Sequence, residues 1–255
     1  MPTTSIRVAD TPLLREILGR ADDALVLGHR LSQWTGHAPM LEEELALANI
    51  ALDLIGQARA LYALAGEIEG LGHSEDDYAY LRDSRDFRNL LLVEQPNGDF
   101  AITIVRQVLY AAFIDPWWRE TARRSTDSRL AAIAAKAEKE SAYHLRHAAE
   151  WLIRLGDGTD ESHRRAAAAL EQLWPFVGEM FAPLDPSLAG LCADPASLHA
   201  EWDATVNEVL DQATLARPAE GWMQNGGRAG RHSEQFGHMI AEMQHLARSH
   251  PGATW

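Results

Sequence analysis

The chain has one cysteine, Cys192, in 255 residues. It can form no internal disulfide, as suits a reducing compartment. Cys192 sits in a Pro- and Asp-rich loop with no histidine close by before His199, a poor setting for a nucleophile. Long apolar runs are missing: none approaches the roughly 20 residues of a membrane span. Met1–Asp10 lacks the apolar core of a signal peptide. A cytoplasmic protein without a membrane partner is expected. Positive charge is scarce, with 23 Lys and Arg against 37 Asp and Glu and a net charge of −14. Such a field argues against nucleic acid as a partner. Signatures of catalysis are scarce too. There is no Gly-x-Ser-x-Gly elbow, no phosphate loop ending in Gly-Lys-Ser/Thr and no dinucleotide fingerprint.

What the chain does have is apolar residues at helical spacing. Hydrophobic residues make up 46% and include eight Trp, enough for a sizeable core. Asp10 and Thr11 cap a first helix, which Pro12 opens and which runs to about Trp34. Gly36-His37-Ala38-Pro39 breaks it, and a second helix runs from there to about Glu67. Ser74 and Asp77 resemble a capping box for a short helix to Arg82. After the Gln95-Pro96-Asn97-Gly98 break a third long helix spans Asp99 to about Arg124, with Pro116 inside it. A fourth runs from the Thr126-Asp127 cap to Leu155, and a fifth from Thr159 to about Phe181. Two more are expected, over Pro195–Leu215 and Ser233–Ser249, with the Gly221–Gly230 linker between them. No segment alternates as a strand does. The expected architecture is all-α, one domain over residues 1–255. Its core is a four-helix up-down bundle over about residues 11–155, with further helices over about 159–249 on its outside.

A bundle of this length raises the question of a di-metal centre. Such centres take a Glu from each of two helices and a Glu-x-x-His from each of the other two. Here the only Glu-x-x-His is Glu242–His245, on the last short helix, where a solvent-facing pair is the expected reading. The fourth helix carries Glu140 and His144 on one inward stripe. A buried Glu needs a partner, either His144 itself or an Arg from another helix. The second helix has no histidine between His37 and His73. Leu54 and Gln57 stand three apart where Glu and His would be needed, and Leu has no donor atom. Asn49, Asp53 and Gln57 form a polar stripe suited to hydrogen bonding in a core or across an interface. Asp22 with His29, and Asp23 with Arg30, read as surface or interface pairs, and Asp115 as a helix-end cap or buried salt bridge. The site expectation is therefore no catalytic residue, no cofactor and no metal, with a degenerate region at Leu54, Gln57, Glu140 and His144. Either the Asn49, Asp53 and Gln57 region or the outer faces of the first two helices is expected at an interface.

Several of these segments resemble one family. The strings Leu47-Ala-Asn-Ile-Ala-Leu-Asp-Leu-Ile-Gly-Gln-Ala-Arg59 and Leu90-Leu-Leu-Val-Glu-Gln-Pro-Asn-Gly-Asp-Phe100 are similar to the C subunits of bacterial ring 1,2-phenylacetyl-CoA epoxidases. So are Lys139-Glu-Ser-Ala-Tyr-His-Leu-Arg146 and Gly226-Gly-Arg-Ala-Gly-Arg-His-Ser-Glu234. The resemblance spans nearly the whole chain. It implies a ferritin-like fold and a part in aerobic phenylacetate breakdown. In that family the related A subunit holds the di-iron centre and the substrate, a reductase supplies electrons, and the C subunit is a structural partner. The expected role is then a non-catalytic subunit, no enzyme on its own, that binds the catalytic A subunit and the other subunits of the complex. A homodimer is expected when the chain is isolated. Two alternatives stay open: an autonomous di-metal oxidase using Glu94, Glu140 and His144, and a helical module binding an acyl-CoA or a protein, with Arg228 and Arg231 on phosphates.

Overall fold

In the computed structural model, residues 5–253 are described, so the start of the Met1–Asp10 stretch lies outside them. Among the described residues nine α-helices form: α1 (Pro12–Ser32), α2 (Leu41–Glu69), α3 (Glu75–Tyr80), α4 (Leu91–Glu94), α5 (Phe100–Arg124), α6 (Ser128–Gly156), α7 (Asp160–Leu173), α8 (His199–Gln212) and α9 (Glu234–Ser249). The same residues contain no strand, only an isolated bridge between Ala189 and Cys192.

Local chemistry sets the boundaries. Thr11 accepts a hydrogen bond from the Leu14 N–H, with Pro12 opening α1. Ser74 and Asp77 close a reciprocal capping box on α3. Asp99 caps α5 and Asp127 caps α6. Gly70, in the left-handed region at φ 69°, ends α2. Helix α5 runs unbroken through Pro116. The expected fifth helix is shorter, ending at Leu173 and continuing as 3-10 turns to Phe181 around Pro175. Pro195–Leu198 is likewise a 3-10 turn ahead of α8.

Helices α1, α2, α5 and α6 make the bundle. Asp22 meets Tyr62 and Gly28 meets Leu54, so α1 and α2 are antiparallel. Asp115 meets Ser141 and Phe100 meets Trp151, so α5 and α6 are antiparallel too. Asp53–His144 and Gln57–Glu140 set α2 antiparallel to α6. The crossover over residues 70–99 therefore returns the chain so that α5 runs parallel to α2, and bundle neighbours run in opposite directions. One apolar cluster runs from Leu14 to Ile240. Helices α7 and α8 pack on α5, and α9 packs on α3. No helix of the described residues is long and apolar enough to cross a membrane.

The heaviest concentration of buried charge lies around α1. Asp22 and Asp23, adjacent in sequence, are both fully buried. Asp22 accepts from Arg82 and Tyr62, each at 2.5 Å, and from the Arg88 N–H at 2.7 Å. Asp23 accepts from the Leu90 N–H at 2.7 Å and pairs with Arg228 at 2.6 Å. The expectation of surface or interface pairs with His29 and Arg30 is thus corrected: Arg30 instead donates to the Glu94 carbonyl at 2.7 and 3.0 Å. Two more carboxylates hold the C-terminal segment 226–235 down. Glu179 accepts from the N–H groups of Gly226 and Arg228 and of Leu91. Glu94 accepts from the Ser233 N–H at 2.7 Å and meets His232 Nδ1 at 2.8 Å. Gly227 lies so close to the Asn89 carbonyl that any Cβ would collide with it.

Candidate functional site

The residues singled out for a metal site do meet, along the seam between α2 and α6. Leu54 faces the core at 2% exposure. Gln57 Nε2 donates to Glu140 Oε2 at 2.9 Å, and Lys136 Nζ lies 3.3 Å from Oε1 of the same carboxylate. The partner of Glu140 is thus an amide of α2 and a lysine one turn away, neither His144 nor an arginine. His144 Nε2 lies 3.1 Å from Asp53 Oδ2. One turn on, His147 Nε2 lies 2.9 Å from Glu43 Oε2. Burial holds the His144 imidazole below its usual pKa, opposed by Asp53, so the ring is neutral at pH 7.

A register that the sequence reading missed also appears. Ser141 and His144, three apart, are both buried, whereas the Glu140 carboxylate sits at the seam's edge. Leu54/Gln57 and Ser141/His144 are therefore the facing i, i+3 pairs. The Ser141 hydroxyl donates to Asp115 at 3.1 Å, and burial raises the Asp115 pKa. Counting three back from the buried His144, rather than four, would have exposed this register.

These donors do not suit two metal ions. Of the four facing positions, one is a leucine, one an amide already bonded to a carboxylate and one a serine bonded to an aspartate. The one imidazole is engaged by Asp53. Among the described residues no group of three or more His, Cys, Asp or Glu could hold a metal ion. Glu94, grouped with Glu140 and His144 in the oxidase alternative, instead has both carboxylate oxygens engaged by Asn89, His232 and Ser233.

The remaining candidates are dispersed. Asn49 is exposed on the outside of α2, and Asp53 is half-buried at the seam. Arg228 is not a free phosphate ligand: it is locked between Asp23 and the Arg88 carbonyl. Arg231 is exposed, its side chain lying over Gly226. Glu242 and His245 are both exposed, as expected.

An all-α bundle with a long second-to-third crossover and this seam defines a ferritin-like protein. The chain belongs to the phenylacetic acid catabolic protein family (PaaA_PaaC), whose profile matches residues 1–255. It is 49% identical over 241 residues to the C subunit of the 1,2-phenylacetyl-CoA epoxidase of Escherichia coli (strain K12), covering 92% of this chain and 95% of that protein.

Proposed function

We propose that the chain is the non-catalytic C-type subunit of a multicomponent di-iron phenylacetyl-CoA epoxidase, acting in the cytoplasm. It carries no iron itself and supports a related catalytic A subunit that does. The observation carrying this reading is the α2–α6 seam, where Leu54 has no donor atom and Gln57, Ser141 and His144 are paired off within the protein. A centre of this class needs carboxylates and imidazoles free to turn toward metal. Similarity to the C subunit of an epoxidase supports the assignment to such a complex.

The test is iron loading of the purified chain under anaerobic Fe(II), then metal analysis and absorption spectroscopy. The expected result is no stoichiometric iron and no di-iron band. Two equivalents of iron with such a band refute the reading. Glu140→Ala and His144→Ala give a second test. A supporting role predicts weaker folding or assembly, with normal turnover per complex formed. Intact assembly with lost turnover would point to catalysis by this chain.

A further inference from the structure

The bundle is clothed on two sides and bare on a third. Every residue of α1 from Ile17 to Gly28 is buried, although it was expected to offer an outer face. Every residue of α5 from Thr103 to Ile114 is buried as well. The crossover and segment 226–235 lie over α1, while α7 and α8 lie over α5. Helices α7 and α8 also reach α6, and α3 reaches α2, but each of these two helices keeps one exposed stripe along its length.

The bare face is apolar where a solvated face should be polar. Leu41, Leu45 and Leu52 stand 69%, 58% and 66% exposed on one stripe of α2. Tyr143 of α6, whose ring lies by the His147 that meets Glu43 of α2, is 40% exposed. Isolated exposed leucines are ordinary, but a stripe at 4- and 7-residue spacing on a long helix marks a contact surface. The outer side of α6 also carries a short line of cations. The chain is acidic by 14 charges and has only two lysines, Lys136 and Lys139. Both are exposed on α6, and Arg146 extends their line. Among the described residues neither Lys139 nor Arg146 has an ion-pair partner; Arg146 lies over the Tyr143 ring at 5.6 Å. Each helix has 29 residues, so each is about 43 Å long. Side by side at about 10 Å they present a face some 20 Å wide, or roughly 800 Å². That matches the roughly 800 Å² per partner of a stable complex.

We infer that the α2–α6 face is the docking surface for the catalytic subunit. The partner presents a helix whose apolar residues cover Leu45 and Leu52 and whose carboxylates stand opposite Lys139 and Arg146. This inference rests on the subunit role proposed above and adds the face and the chemistry of what covers it. A second copy of this chain would bring the same cations to the seam.

The test uses the full chain co-expressed with the catalytic subunit. Leu45→Glu/Leu52→Glu replaces the apolar stripe, and Lys139→Glu/Arg146→Glu reverses the charge. Arg164→Glu/Arg165→Glu on α7 is the matched control. The expected loss of affinity is about 100-fold or more for the leucine pair. The charge pair should associate about tenfold more slowly, with its salt dependence weakened or inverted. The control should bind as wild type does. Zero-length carbodiimide coupling of the wild-type complex gives a readout free of folding effects, and should join Lys139 to a partner carboxylate. Wild-type-like binding by both variants, or no Lys139 cross-link, overturns the docking face while leaving the subunit role intact. Failure of the wild-type chain to bind the catalytic subunit refutes the subunit role, and this inference with it. Variants that split a homodimer yet still bind the catalytic subunit assign the face to a second copy and overturn the inference.

Discussion

Replacing Arg228 with methionine removes the counterion of a fully buried carboxylate. Asp23 keeps the Leu90 N–H and a distant Arg20 at 3.8 Å, but loses the guanidinium at 2.6 Å. Orphaning one member of a buried pair costs about 3–5 kcal/mol. Arg228 is itself 26% exposed, so the lower end, about 3 kcal/mol, is expected. For a chain of this size that lowers Tm by about 6–12 °C. The loss should depend on pH. Burial raises the Asp23 pKa from 3.8 to about 6, against the pull of Arg228 and Arg20. A carboxyl whose folded pKa is raised binds its proton more tightly when folded, so its contribution to stability falls as pH rises from 3.8 through 6. Without Arg228 that fall extends to higher pH, because the carboxyl stays protonated longer. Below it, neutral Asp23 needs no counterion, and the deficit shrinks to about 1 kcal/mol, the worth of a lost hydrogen bond. Urea unfolding of both proteins at pH 5 and pH 8, followed by circular dichroism, measures the difference directly. Other titrating groups are common to both proteins and cancel. A deficit equal at the two pH values, or larger at pH 5, refutes the reasoning.

Asp22→Ala should be more damaging. It leaves the wholly buried Arg82 without its carboxylate, at about 3–5 kcal/mol, measured by the urea midpoint and soluble yield. Gly227→Ala forces the C-terminal segment off the Asn89 carbonyl. A loss of about 1–3 kcal/mol is expected, with faster proteolysis near α9 than in the bundle. Burial pushes the Cys192 thiol up to about 12. It should resist a thiol reagent at pH 8 in the native protein and react at once in denaturant. Gln57→Leu removes an amide donor from Glu140 but leaves Lys136, so it should cost only about 1 kcal/mol by thermal unfolding.

The bundle was legible because its signals are local. Pro12, Asp99, Asp127 and Gly70 mark helix ends by interactions within a few residues of themselves. The closeness of Leu54 and Gln57 was legible for the same reason, since they stand in one turn of α2. The buried carboxylates were not. Asp23 finds its partner at Arg228 and Glu94 finds His232, across most of the chain. No spacing rule reaches so far. The clue was local: Asp22 and Asp23 are followed by the unbroken apolar run Ala24–Gly28, which leaves that stretch of α1 little polar face to turn to water. Reading Asp22 and Asp23 as surface or interface pairs assumed a polar outer face that α1 does not have. The short fifth helix failed at Pro175, whose missing N–H favours a turn over continued helix.

The position of Arg228 and His232, far along the chain from the acids they meet, bears on synthesis. A ribosome that has released the chain as far as Leu215 has delivered all four bundle helices but none of segment 226–235. Asp23 then has only Arg20 at 3.8 Å and Glu94 lacks His232, and the α1 surface under segment 226–235 stays open to water. Completion of the native interior awaits the last turns of translation, which leaves a truncated product open to degradation. A chain lacking its final thirty or so residues should consequently disappear from cells rather than accumulate as a shortened bundle.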